Sequence, residues 1–297
     1  MSLKKIFIEA NNADPADFLP LFVDNEKVGI IALENREMLA DYGFILEKKS
    51  NSGQECFVWQ AKKTEQENSA FISEITAKMH SDGIITGWRD ELYPLSKNYL
   101  SPPKALIERA AVPLFGATGF GIHLNGLVRA DDEIYMWLGK RSLNKQTSPG
   151  KWDQIAAGGL PYGISAFENM QKECAEEAGI STELSRNAYS VGICNYFRRI
   201  KLGIRADQMF IYDLWLDENF VPQNIDGEVE KFELRPLRQI IEELRKNTEE
   251  IKYNSAIVIV DCALRHGIIP PEDAEYAELC AARYARNFWL KDFSVFY

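Results

Sequence analysis

Paired cysteines, histidines, long apolar runs and an excess of positive charge are scarce or missing in this chain of 297 residues. Its five cysteines, Cys56, Cys174, Cys194, Cys262 and Cys280, form no C-x-x-C pair and stand among apolar neighbours. That excludes the usual zinc spacings and predicts buried free thiols in a reducing compartment. The three histidines, His80, His123 and His266, are scattered and suit structural roles better than catalysis or ligation. No apolar run reaches membrane-spanning length, and the opening MSLKKIFIEANNADPADF lacks a long apolar signal core. A cytoplasmic protein with no membrane partner is expected. With 34 Lys and Arg against 44 Asp and Glu, the net charge of −10 argues against a nucleic-acid partner. GATGFG, residues 116–121, lacks the G-K-[ST] ending of a phosphate loop and reads as a tight turn into a strand. Internal repeats and low-complexity segments are absent too.

What is present is ordinary globular material, 46% hydrophobic and 26% charged, in a chain long enough for two domains. Residues 1–105 read as a smaller α+β unit, closed by the Pro102-Pro103 pair. Within it the sequence predicts a helix opened by Asp14-Pro15, a strand in KVGIIAL and a helix near ENREMLADYG. Two strands follow, joined by Asn51-Ser52-Gly53, then a helix over Glu65–Ser81. Residues 106–297 begin with a hairpin about Ala130-Asp131-Asp132 and continue through strand-like QIAAGG. After an acidic helix come antiparallel strands SVGICNYFRR and ADQMFIYDLWLDE, then DGEVEKFEL. Helices near Pro236–Lys246 and Pro271–Trp289 flank the apolar stretch SAIVIVDCALRHG. Strands mixed with helices on both sides suit an α/β/α sandwich with a mixed sheet.

The most informative stretch is GGLPYGISAFENMQKECAEEAGI, residues 158–180. Ser165 followed by Glu168 is a capping box, and Gly179 suits the left-handed residue that ends a helix. Glu173, Glu176 and Glu177 then share one side of that helix, beside an apolar strip of Met170, Cys174 and Ala178. Like charges at these spacings repel, so the cluster is useful chiefly if a cation sits on it. Mg²⁺ is the natural occupant, because it takes carboxylate oxygens, keeps waters and bridges to phosphates.

From Gly158 the pattern G-x5-Ile-x7-K-E-C-A-E-E-A-G-I resembles the Nudix box, matching at Gly158, Glu173, Cys174, Glu176, Glu177, Gly179 and Ile180. It departs at Ile164, where the family has Glu, and at Lys172, where it has Arg. In the family that pair braces the loop, and Glu168 with Lys172 offers a substitute brace. The likeness widens through WRDELYPL, IERAAVPLFGATGFGIHLNG, KRSLNKQTSPGKWDQIAAGG, IYDLWL, DGEVEKFEL and NSAIVIVDCALRHGIIPPE. These phrases are similar to the thiamine-pyrophosphokinase-related Nudix branch, which carries an N-terminal domain of unknown function.

That resemblance implies a Nudix fold and hydrolysis of a phosphoanhydride in a small diphosphate, with Mg²⁺ or Mn²⁺ as cofactor. It points to thiamine diphosphate or oxidised analogues such as oxythiamine diphosphate, cleaved to the monophosphate. It also implies metal ligands at Glu176, Glu177 and the Gly158 carbonyl, with Glu173 as a further ligand or the general base. A strand carboxylate often joins them, and Glu228 is preferred to Glu230 because the Asp226-Gly227 turn puts it at a sheet end. Arg141, Lys145 and Lys151 are candidate phosphate holders, with Arg141 favoured for its planar fork and Arg205 as a weaker candidate. Trp152, Tyr196, Phe197 and Trp215 read as core. Two other functions stay open: a binding module that has lost catalysis, and a pyrophosphatase for ADP-ribose or dinucleotides. The N-terminal unit either shapes the pocket or builds a homodimer, and the residues do not choose.

Overall fold

The computed structural model describes residues 2–48, 55–59, 62 and 64–283. The expected Asn51-Ser52-Gly53 turn and residues 284–289 of the expected closing helix lie outside that set.

A short helix, α1 (Lys4–Ala10), opens the chain. The helix expected from Asp14-Pro15 is only a single tight turn over Pro15–Asp17, capped by the Asp14 carboxylate on the Ala16 amide. The chain then extends as β1 (Phe18–Val23), because FLPLFV has apolar side chains in succession and no polar helix face, and five of its six residues are buried. β1 pairs antiparallel with β2 (Glu26–Ala32) through a turn at Asp24 and Asn25, both at positive φ. Asp and Asn tolerate that conformation best after Gly. After α2 (Arg36–Asp41), strands β3 (Ile45–Lys48) and β4 (Glu55–Trp59) complete a four-stranded sheet in the order β2-β1-β4-β3. Helix α3 (Glu65–Ser81) starts at a Thr64–Glu67 capping box and packs on a two-stranded ribbon of β5 (Leu92–Leu95) and β6 (Ala105–Glu108).

Following α4 (Val112–Phe115), the second sheet is built from β7 (Thr118–Ala130), β8 (Glu133–Arg141), β11 (Tyr189–Ile200), β12 (Gly203–Trp215) and β13 (Val229–Pro236), in the order β11-β12-β7-β8-β13. The β7 to β8 turn puts Asp131 and Asp132 at positive φ, as expected of the hairpin. The β12–β7 pair is parallel and its neighbours are antiparallel, so the sheet is mixed. Short β9 (Trp152–Gln154) and β10 (Ala156–Gly159) add to β8 and β7. One face carries α5 (Ala166–Ala178), followed by α6 (Thr182–Ser185). The other carries α7 (Leu237–Lys246), α8 (Tyr253–Arg265) and α9 (Tyr276–Ala282). The apolar stretch SAIVIVDCALR is helix α8, buried from Asn254 to Leu264, which explains why it has no polar stripe.

Several joints tie the first unit to the second. Helix α1 packs on α8, α9 and β11, with Leu3, Ile6, Phe7 and Ala10 in the core beneath α8. The first sheet meets the second unit at Gly116, whose φ of 52° and close approach to the Ile30 carbonyl leave no room for a Cβ.

Candidate active site

Helix α5 is held at both ends by local chemistry. Ser165 accepts from the Glu168 amide while the Glu168 carboxylate accepts from the Ser165 amide at 3.1 Å. At the far end Gly179 turns left-handed and the Ile180 amide reaches the Cys174 carbonyl at 2.9 Å. Met170, Cys174 and Ala178 face the sheet, so the glutamates are turned toward β10 and the loops at its end. Gly158 on β10 is bare, and the Glu173 carboxylate occupies the space where a Cβ would project.

The three glutamates differ in environment. Glu177 is buried, and its Oε2 accepts from the Ala157 amide at 2.8 Å. Burial, with the Glu173 charge beside it, pushes its carboxyl up to about 8. Glu173 is largely enclosed and is also pushed up by burial, with Glu176 and Glu228 adding repulsion against the relief given by Lys172. Glu176 is half exposed. The Lys172 ammonium stands 2.7 Å from Glu176 and 3.5 Å from Glu173, bringing one positive charge where these carboxylates meet. Such a donor set fits a divalent cation: oxygen ligands, two enclosed carboxylates that repel, and a monovalent stand-in already attracted to them.

Glu228 stands just before β13, and the loop ahead of it is pinned to α5. The Gln223 amide reaches the Ala178 carbonyl at 2.9 Å and the Asp226 amide reaches the Glu176 carbonyl at 3.2 Å. Glu228 is thereby close enough to raise the Glu173 carboxyl, and it accepts a hydrogen bond from Lys145. Burial works against its charge, but Lys145 holds its carboxyl below the ordinary range. Glu230 falls in a bulge of the β13–β8 ladder and is exposed, so the shared face expected of Glu228 and Glu230 on a regular strand is not formed.

Arg141 is turned inward. It is buried, donates to Asp153 at 2.9 Å and holds the Thr147 carbonyl through Nε and Nη2 at 3.2 and 3.0 Å. It is therefore a brace for the loop between β8 and β9, and its fork is not presented to a phosphate. Lys151 lies on the same loop, partly exposed, with its carbonyl accepting from the Arg141 amide at 2.9 Å.

Beneath the site lies a buried polar network that the sequence does not advertise. Asp153 joins Arg141 to Lys252 at 2.9 Å and accepts from the Ser255 hydroxyl. Burial alone would raise the Asp153 carboxyl, but Lys252 and Arg141 hold it far below the usual range. His123 Nδ1 lies 2.7 Å from Gln154 Oε1, and burial pushes its pKa down to about 4. The unfolded chain, with an ordinary imidazole near 6.5, then takes the proton first. His123 thus contributes stability present above pH 6.5 and lost as the pH falls through about 4, worth about 3 kcal/mol in all. His123→Gln is expected to lose less stability than the parent between pH 7 and 4.5 in urea unfolding. Parallel pH slopes for the two proteins would refute this role.

The loop from Gly159 to Ser165 is braced differently from the expectation. Glu168 is committed to its cap and Lys172 to Glu173 and Glu176, so the Glu168–Lys172 pair does not form. Asn169, fully enclosed, donates to the Gly159 carbonyl at 2.9 Å, and Ile164 packs against the apolar cluster under α5. The first unit helps. The Tyr99 hydroxyl accepts from the Ala166 amide at 3.0 Å and the Leu92 carbonyl from the Tyr162 amide at 2.8 Å. Among the described residues, Asp213, Cys262 and His266 also bring potential metal-binding atoms within 4.8 Å of one another, but Arg265 already pairs with Asp213 through two nitrogens.

Comparison with known proteins places these features. The NUDIX domain family matches residues 123–255, and a domain family of unknown function, DUF4743, matches residues 2–119. The chain is 40% identical over 263 residues to Nudix hydrolase 24, chloroplastic, of Arabidopsis thaliana, covering 89% of this chain and 72% of that protein. It is a member of the Nudix hydrolase family. Nudix hydrolase 20, chloroplastic, of the same plant is 39% identical over 270 residues, with 89% and 72% of the two chains covered. An uncharacterized protein of Saccharomyces cerevisiae is 35% identical over 233 residues, covering 72% of this chain and 67% of that one. Among solved structures, the NUDIX domain of Shewanella oneidensis NrtR complexed with ADP-ribose is 14% identical with a TM-score of 0.41, covering 51% of this chain and 90% of that one. The Nudix α/β/α sandwich here is accordingly preceded by a distinct α+β segment.

Proposed function

We propose that this Nudix protein hydrolyses the phosphoanhydride of a small diphosphate, taking thiamine diphosphate or its oxidised analogues to the monophosphate and phosphate. The observation that carries the reading is the arrangement of Glu173, Glu176 and Glu177 against the bare backbone of Gly158, with one lysine ammonium drawn between two of the carboxylates. Glu176, Glu177 and the Gly158 carbonyl, with Glu173 and Glu228, would hold Mg²⁺ or Mn²⁺. Such an ion, when bound, neutralises diphosphate oxygens and makes water a better nucleophile near neutral pH.

The chain's own groups have separable tasks. Glu177 and Glu173 present charge from a dry wall, where a full carboxylate is favoured only with a cation beside it. Glu173, whose carboxylate fills the space beside Gly158, is our choice for accepting the proton of the attacking water. Lys145, paired with Glu228, can pass its charge to a phosphate oxygen once that carboxylate is engaged elsewhere. The substrate class follows from the wide sequence likeness over residues 85–290 to the thiamine-related branch.

The test is phosphate release from thiamine diphosphate, oxythiamine diphosphate, ADP-ribose, a dinucleoside polyphosphate and nucleoside triphosphates. A clear preference for the thiamine compounds is expected, with complete loss on EDTA and recovery with excess Mg²⁺. Preference for ADP-ribose or the dinucleotide would replace the substrate. Ligand binding without turnover would replace hydrolysis by sensing, and turnover that survives chelation would overturn the mechanism.

A further inference from the structure

The segment around β5 and β6 reaches the acidic site from the first unit, and its polar groups have no part in the chemistry above. Gly159 and Gly121 face one another in the β10–β7 ladder, beside Gly158 and two residues from Gly119, so this corner of the sheet is almost without side chains. Glu173 takes the space beside Gly158. The space beside Gly159 is taken by the Tyr93 hydroxyl and the Arg109 guanidinium, with Nη2 and Cζ each 2.8 Å from where a Cβ would sit. Any residue but glycine at 159 would drive both groups away.

Tyr93 is 3% exposed, and its hydroxyl has no hydrogen-bond partner. An enclosed O–H left without an acceptor costs about 1–3 kcal/mol, so its persistence calls for an acceptor that arrives from outside. Arg109 pairs with Glu91 at 2.9 Å, both side chains being over a third exposed, so this pair is readily exchanged. Arg205 on β12 is near enough to Arg109 for their charges to repel; it hydrogen-bonds Tyr196 and has Asp207 3.8 Å away. One exchangeable guanidinium and a phenol O–H thus meet beside the bare backbone of Gly159, with the Arg205–Asp207 pair close by and Asp207 filling the space beside Gly119.

We propose that Tyr93 and Arg109 of the N-terminal unit, with Arg205 of β12, form a phosphate subsite that takes one phosphate of the substrate while the α5 carboxylates act on the other. This rests on the diphosphate reading above and makes the N-terminal unit a part of the site that sets which substrates are accepted. Arg forks and a phenol donor are matched to phosphate oxygens, and Glu91 is the internal anion that an incoming phosphate displaces.

The experiment is calorimetric titration of the full chain with inorganic pyrophosphate in EDTA, repeated for four variants, with Tm as the check on folding. Arg109→Ala is expected to weaken binding about tenfold or more, and Arg205→Ala by a similar factor, as for loss of a hydrogen bond to a charged group. Tyr93→Phe should weaken it about threefold to tenfold without lowering Tm, since the hydroxyl has no partner to lose. Glu91→Gln should tighten binding by freeing Arg109, a gain that a purely structural role would not produce. With Mg²⁺ and a hydrolysed diphosphate, Arg109→Ala should raise KM with little change in kcat. No metal-free pyrophosphate binding by the parent, or unchanged affinity in folded Arg109→Ala, would overturn the subsite. Should Arg109→Ala fail to fold, unchanged or weaker binding by Glu91→Gln would overturn it instead. Arg109-dependent binding in a protein that hydrolyses no diphosphate would leave the subsite standing and remove the hydrolase reading.

Discussion

Glu177→Gln is expected to lower turnover by about 10²- to 10⁴-fold, in the range for loss of a group that acts directly on the reaction, while making the metal-free protein more stable at pH 8. The second half of that expectation follows from the sign of the shift. Burial raises the folded carboxyl to about 8, whereas the unfolded chain ionises near 4.3. The contribution of Glu177 is therefore fully present below about pH 4.3 and is lost as the pH rises through about 8. Gln keeps the shape and the acceptor for the Ala157 amide without any charge to desolvate. Thermal unfolding in EDTA should give matching Tm values near pH 4.5 and a higher Tm for the variant at pH 8.5. Added Mg²⁺ should then raise the Tm of the parent and leave the variant almost unmoved. Near-parent turnover would remove Glu177 from the site; an unstable variant with no pH trend would make the residue structural.

Asp153→Ala should destabilise the protein by about 3–5 kcal/mol, because removing one partner of a buried ion network leaves uncompensated charge. Arg141, Asp153 and Lys252 have side-chain exposures of 8, 6 and 14%, so water cannot replace the lost carboxylate. The loop held by Arg141 also carries Lys145 and Lys151, so activity is expected to fall with stability. The combined Asp153→Leu and Lys252→Met change should recover part of the loss, since it removes one of the two cations, Lys252 and Arg141, that Asp153→Ala leaves unpaired. Urea unfolding of the three proteins decides it: a loss under about 1 kcal/mol for Asp153→Ala would show that the network is not what holds the loop.

Legibility in the sequence followed the distance between partners. Helix α5 was readable to the residue because its stops, Ser165 with Glu168 and Gly179, act within a few positions of each other. The hairpin at Asp131-Asp132 and helix α3 are of the same local kind. β1 departs from the expected helix because Asp14-Pro15 is a sound start signal for a turn that the next six residues, packed between β2 and β4, then override. Asp153 finds Lys252 and Ser255 about a hundred residues away, and no spacing rule links them. Arg141 looked like a phosphate holder for its chemistry alone, and only burial reveals that its fork is already spoken for. Tyr93 and Arg109 were hidden for a further reason: the clue to them is a glycine at 159 in another unit.

The docking of α1 beneath α8 has a consequence for the order of events during synthesis. Leu3, Ile6 and Phe7 are made about 250 residues before the surface that receives them is completed. Contacts of such long sequence separation form slowly, and until they form both surfaces are available to other chains. The first sheet can close early on its own core, whereas the α8 side of the second unit cannot close until α8 itself has emerged. Chaperone dependence and aggregation in fast expression should accordingly track the α1–α8 contact, and Phe7→Asp is the change that would expose it.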